Sequence, residues 1–168
     1  VVSSSVGRVL APDEVDVTVD EINESGLKIV FTNGVFDLIH PGHLATLRFA
    51  KSKGDILIVG LNSDGSVMRL KGPLRPIMGY GERAKILAGL DMVDFVVSFE
   101  EDTPARIIDQ IRPHVLVKGG DYGLDDIVGR SEVESWGGVV FTVPLVQNSS
   151  TTNLVERILE KSAPRLDN

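Results

Sequence analysis

Two of the chain's three histidines, His40 and His43, stand three residues apart in "NGVFDLIHPGH". A run of β-branched residues ends just before them, and a segment of helical period begins just after. On the first turn of a helix, residues three apart share a face. Two imidazoles placed so can donate hydrogen bonds to phosphoryl oxygens. Gly42 between them lets a ligand approach the backbone. A helix N-terminus adds unpaired N–H groups and a partial positive charge, which suits a phosphate. The alternatives are a metal pair or two unrelated surface histidines. A metal would need further ligands, and no third histidine or any cysteine lies nearby.

Two other segments carry chemistry of the same kind. "VLVKGGDY" ends an apolar run with Lys118, Gly119, Gly120 and Asp121. Paired glycines let backbone approach a base or ribose, and Asp121 could accept from hydroxyls; a simple turn explains the glycines equally well. "SSTTNLVERI" opens the last helical segment with Ser150, Thr151 and Thr152. These residues can cap the helix and offer N–H and hydroxyl groups to a triphosphate, or cap it with no ligand at all.

The elements that must position these residues are legible as an alternation. "LKIVFT", "DILIVGL", "DFVVSF", "HVLVKG" and "VVFTV" are short β-branched runs with little polar alternation, as in strands buried on both faces of a parallel sheet. Between and after them lie "GHLATLRFAKSKG", "GERAKILAGL", "TPARIIDQI", "DDIVGRSEVESW" and "STTNLVERILEK", each of helical period. The pattern predicts an α/β, Rossmann-like, doubly wound open parallel sheet of five strands with helices on both faces. Ligands of such sheets bind beyond the carboxyl ends of the strands. Residues 32–43, 62–71, 118–122 and 147–152 should therefore converge on one rim. No GxGxxG follows the first strand, which disfavours a dehydrogenase. The expected organisation is an N-terminal arm over residues 1–26, in part helical, one domain over 27–162 and a tail over 163–168. His114 is expected to be structural, Trp136 a packing residue rather than a stacking platform, and "FEEDTP" a loop and helix start, with a metal role as its alternative.

Composition bounds the function. The 168 residues suit one domain, with 42% apolar and 24% charged residues. A net charge of −7 disfavours nucleic acid as a partner. No window approaches a membrane span and no signal peptide opens the chain, so no membrane partner and a cytoplasmic location are expected. The absence of cysteine removes disulfides, thiolate metal sites and thiol nucleophiles. Val1 in place of Met implies that the native start was trimmed or lies upstream.

"NGVFDLIHPGH" resembles the nucleotide-binding signature of the cytidylyltransferase-like nucleotidyltransferases, whose hallmark is HxGH, and "STT" resembles their second signature. "LIVGLNSDGSV", "RPIMGYGERAKILAGLDMVDFVVSFEEDTP", "VLVKGGDY" and "SSTTNLVERI" together are similar to the adenylyltransferases of ADP-heptose synthesis, collinearly over residues 28–159. The resemblance implies transfer of AMP from ATP to a sugar 1-phosphate, with His40, His43 and Lys71 catalytic. It implies nucleotide contacts from Thr32, Asn33, Gly34, Val35, Phe36, His40, Gly42, His43, Lys118, Gly119, Asp121, Ser150, Thr151 and Thr152. Asp37, Lys71, Arg75 and Arg83 would contact the phosphorylated acceptor. Asp37 could instead form an Asx turn or cap, Arg83 a helix-face salt bridge, and Asp64 a helix cap. ATP would be a substrate and Mg²⁺ would be held mainly through its phosphates, so no protein metal site is expected. Implied partners are the nucleoside triphosphate and the sugar phosphate, with room for a homodimer and for an upstream sugar kinase domain or a separate kinase. Relatives that use cytidine nucleotides often carry an Arg shortly before "STT". This chain has "PLVQNSS", which favours the adenylyltransferase branch. A CTP-dependent enzyme acting on glycerol 3-phosphate or another phospho-alcohol, and a regulatory domain without catalysis, are the alternatives.

Overall fold

The apolar runs become strands because both their faces find a hydrophobic cover. In the computed structural model, which describes residues 6–120, 123–144, 146 and 150–162, the sheet has six parallel strands. They are β1 (Arg8–Val9), β2 (Ile29–Gly34), β3 (Ile56–Asn62), β4 (Phe95–Phe99), β5 (Val115–Gly119) and β6 (Val139–Val143), in the order β1-β4-β3-β2-β5-β6. All seven residues of β3 are buried, as its central place requires. In register, Thr32 of β2 lies between Val59 of β3 and Val117 of β5.

Seven helices flank the sheet among the described residues: α1 (Val15–Glu24), α2 (Pro41–Lys51), α3 (Asp64–Lys71), α4 (Tyr80–Ala88), α5 (Ala105–Ile111), α6 (Arg130–Ser135) and α7 (Thr151–Ser162). One core joins α1, α5 and α6 to Ile29, Phe31, Ile58, Val97 and Leu116. The other joins α2 and α4 to Val30, Leu57, Val59, Val96 and Val117. Successive strand residues thus feed opposite cores, as the period of two demands. The described helices are too short or too polar to cross a membrane.

The sixth strand differs from the expectation of five. It has only two residues, both exposed, and backbone bonds rather than side chains hold it. Gly7 N–H donates to Ala88 O at 2.8 Å, Arg8 N–H to Asp94 O at 2.9 Å and Leu10 N–H to Val96 O at 2.9 Å. A Cβ at residue 7 would lie 2.3 Å from Val93 O, so the close approach requires Gly7. Residues 8–24, expected to belong to an arm, are built into the sheet edge and one core. Val15, Thr18, Val19 and Ile22 form a buried face at helical spacing on α1. Residues 1–5 and 163–168 lie outside the described residues.

The chain runs outward from β2 through β3 to β4, then returns to place β5 on the other side of β2. The β2/β5 boundary is therefore a topological switch point, where loops diverge to opposite faces and leave a crevice.

Candidate active site

The crevice is a cleft of about 620 Å³ above the carboxyl ends of the strands. Residues from all four segments expected at one rim line it, among them Asn33 to Asp37, His40, Gly42, His43, Asn62, Lys71, Arg75, Lys118 to Gly120 and Ser150 to Thr152. Asp121, the last nucleotide contact expected in "VLVKGGDY", lies outside the described residues, as do Tyr122 and residues 147–149.

The loop from β2 to α2 is tightly wound. Phe36 (φ 48°) and Leu38 (φ 54°) both adopt left-handed backbone, uncommon for bulky side chains and often found at working sites. The turn holds because Phe36 is buried against the core of α2 and α4. His40 is the N-cap residue of α2, and Pro41 occupies the first turn. The imidazoles of His40 and His43 stack with ring centroids 3.7 Å apart, and Phe36 lies 5.1 Å from His43. The His40 N–H donates to Nδ1 of His43 at 3.4 Å, so neutral His43 carries its own proton on Nε2. Nδ1 of His40 is buried with no hydrogen-bond partner among the described residues. Burial lowers the pKa of His40. His43 is lowered to about 4, by burial first and by the His40 charge second, against an opposing pull from Asp37. Both are neutral donors near pH 7.

Asp37 is buried, and its carboxylate accepts from Arg75 Nε at 2.8 Å, Ile77 N–H at 2.8 Å and Met78 N–H at 3.0 Å. Burial pushes its pKa up, but the two amides and Arg75 outweigh that and hold it below the usual carboxylate value. With its carboxylate accepting from three donors, Asp37 holds Arg75 and the 77–78 backbone at the edge of the cleft. Its carbonyl also accepts from the Thr151 hydroxyl. Ser150 caps α7, its Oγ accepting from Asn153 N–H at 3.0 Å. The N-termini of α2 and α7 thus meet beside one cleft.

Two expected contacts are placed elsewhere. Arg83 has a fully buried side chain and does not line the cleft. Its guanidinium donates to Met78 O at 3.0 Å, Val35 O at 2.7 Å, Asn62 O at 3.0 Å and Asp64 Oδ1 at 2.6 Å. It ties the ends of β2 and β3 to the start of α4, because carbonyls from three segments converge where only a planar five-donor group satisfies them. Thr32 is 1% exposed, below the cleft floor, with its Oγ1 unpartnered among the described residues. Asp64 sits in the first turn of α3, while Ser63 is the cap, its Oγ accepting from Ser66 N–H at 3.1 Å. Asp64 instead accepts from Tyr80 N–H and Arg83.

The glycines of β5 have separate reasons. A Cβ on Gly119 would lie 2.7 Å from Thr46 Oγ1, so this glycine lets α2 pack on the strand. Gly120 has φ 127°, open to glycine and strained for other residues. Burial, and then the nearby Lys71, lower the pKa of Lys118. Sequence reading gave no ligand contact to the cleft residues Asn62 and Thr46 or to the Asp126–Ile127–Val128 turn, and took Asp102, Thr103 and Pro104 as part of a loop and helix start. Asn62 ends β3 and so falls within the expected rim, whereas nothing in the sequence aimed the two turns inward. His114 and Trp136 are structural: His114 Nδ1 accepts from Ile29 N–H at 3.1 Å, and Trp136 donates to Pro113 O at 3.1 Å.

A parallel α/β sheet with a histidine pair on a helix N-terminus at its switch point is an arrangement suited to a phosphorylated ligand. The cytidylyltransferase-like family model matches residues 31–160, and the chain belongs to that family. It is 51% identical over 159 residues to the bifunctional protein HldE of Pelobacter propionicus, covering 95% of this chain and 33% of that protein. It is 58% identical over 135 residues to the bifunctional protein HldE of Geobacter sulfurreducens, covering 80% and 28%. The chain therefore spans about a third of the length of these curated relatives. Among solved structures, the lipopolysaccharide core biosynthesis protein of Thermoplasma volcanium superposes with a TM-score of 0.59 at 28% identity, over 72% of this chain and 98% of that one. The pantoate-β-alanine ligase of Francisella tularensis shares the fold, with a TM-score of 0.60 at 15% identity over 92% and 79%.

Proposed function

We propose that this chain transfers AMP from ATP to D-glycero-β-D-manno-heptose 1-phosphate, releasing pyrophosphate and ADP-heptose. The observation that carries the reading is the convergence of His40, His43, Lys71, Arg75 and Lys118 on one cleft beside two helix N-termini. The likeness to the HldE proteins supports the choice of substrates.

Such a transfer needs in-line positioning and charge stabilisation more than a protein nucleophile. The backbone turn from Asn33 to Phe36 brackets the nucleotide. Neutral His43 donates through Nε2, and His40 from beside it, to oxygens on the α-phosphorus as charge shifts. Lys71 and Arg75 neutralise phosphates, with Arg75 aimed by Asp37. Ser150, Thr151 and Thr152 present α7 to the triphosphate. The attacking phosphate is already anionic, so no strong base is required.

Among the described residues no group of three or more His, Asp or Glu side chains is arranged to hold a metal, and Asp37 is committed to other donors. In this reading Mg²⁺ would enter with the nucleotide, beside Lys71 and Arg75. When bound, it supplies neutralisation of phosphate charge. The acceptor requires a sugar kinase upstream, as a joined domain or a separate protein, and the chemistry belongs in the cytoplasm.

The test is pyrophosphate release across four nucleotides and a panel of sugar and polyol phosphates. ATP with heptose 1-phosphate should give the fastest turnover, and faster turnover with CTP and glycerol 3-phosphate would overturn the reading. His40→Ala and His43→Ala should each lower turnover by about 10²–10³-fold with the far-UV spectrum unchanged.

A further inference from the structure

Strand parity divides the cleft into two sides. Leu116 and Ile58 face the core of α1, α5 and α6, and so does Phe31. Residues two or four further along the same strands share that face. Lys118, Asn62 and Asn33 therefore lie on the α5/α6 side of the sheet. A Cβ on Gly60 would meet both the Phe31 ring and Asn33 Cβ, which places Asn33 independently. Gly119 has the opposite parity, and a Cβ there would meet Thr46 of α2. His40 and His43 belong to the α2 side, with Thr151 of α7 bonded to the same loop. Asp102 and Asp126 line the same cleft from the segments that lead into α5 and α6.

We propose that the α5/α6 side is the subsite of the attacking sugar 1-phosphate, with Lys118 holding its phosphate and Asp102 and Asp126 accepting hydrogen bonds from its hydroxyls. The proposal rests on the nucleotidyl-transfer reading and moves Lys118 from the nucleotide to the acceptor. Three physical arguments support it. In-line displacement needs the nucleophile and the leaving group on opposite sides of the α-phosphorus. One oxygen of the sugar phosphate forms the new P–O bond, the α–β bridging bond breaks, and pyrophosphate leaves with the electron pair. Pyrophosphate on the α2 side and the acceptor on the α5/α6 side meet that requirement. Secondly, carboxylates repel a triphosphate but accept well from neutral hydroxyls. Arg69 Nε donates to Asp102 Oδ1 at 2.8 Å and fixes that carboxylate. Thirdly, burial and Lys71 disfavour the charged form of Lys118, and a phosphate dianion beside it relieves both.

The experiment is steady-state pyrophosphate release by Lys118→Met, Asp102→Asn and Asp126→Asn, with ATP and heptose 1-phosphate varied in turn. Lys118→Met should raise the acceptor KM by about tenfold or more and leave the ATP KM within about twofold. The two Asp→Asn variants should raise the acceptor KM in the same selective way. A rise in the ATP KM in place of the acceptor KM overturns the proposal and returns these residues to the nucleotide. Should Lys118→Met fail to fold, Asp126→Asn decides, because Asp126 is exposed. An unchanged acceptor KM in the Asp variants overturns the subsite while wild-type turnover leaves the reaction standing. A wild-type protein that releases no pyrophosphate overturns both.

Discussion

His43 shows how burial decides the form in which a residue works. Its pKa of about 4 keeps it neutral across the physiological range, and the His40 amide fixes the tautomer that presents Nε2–H. The low-pH limb of kcat/KM for ATP, which reports the free protein, should therefore fall below about pH 5. A limb near pH 6.5, the ordinary histidine value, would contradict a buried neutral pair. Stability follows the same sign. The unfolded chain takes up this proton near pH 6.5 and the native protein only near 4, so stability is lost as pH falls through that window. The spacing of His40 and His43 was legible because it sits at a strand-to-helix junction. Arg83 was not, since a helical arginine among polar neighbours reads as solvent-facing. Its burial is set by the carbonyls of Val35, Asn62 and Met78, which sequence does not bring together.

At the scale of elements, the distance between α2 and β5 sets where the histidines stand. Gly119→Ala would drive a methyl against Thr46 and should destabilise by about 1–3 kcal/mol, the usual cost of overpacking. Thr46→Ala removes the two nearest atoms, so the double variant should recover most of that loss in thermal denaturation. Additive losses would mean that the helix does not bear on the glycine. The five long strands were readable because a strand buried on both faces is an unbroken apolar run. β1 was not readable, since its place depends on backbone bonds to β4 and the β4 approach. α1 was ambiguous because its β-branched composition argues against the helical spacing of its buried face.

For the whole molecule, the segment before β2 is part of what keeps the sheet covered. Leu10, Val15, Val19 and Ile22 are each at most 6% exposed. At about 1.5–3 kcal/mol per buried side chain, removing them forfeits a sum comparable to a typical domain's entire stability. A chain starting at residue 27 should lose cooperative thermal unfolding, and a sharp transition near that of the full chain would show the segment to be dispensable. The rim itself was foreseeable from topology alone, whereas the inward turn of Asp102 and Asp126 depends on how α5 and α6 are entered. Asp37 has a consequence at this scale. Its carboxylate grips Arg75 and the 77–78 backbone while its carbonyl receives α7, so three chain segments share one fastening. None of them can fluctuate alone. A nucleotide that touches only the histidine loop should slow amide exchange at Ile77 and Met78, because quieting one strut of this tripod stiffens the other two.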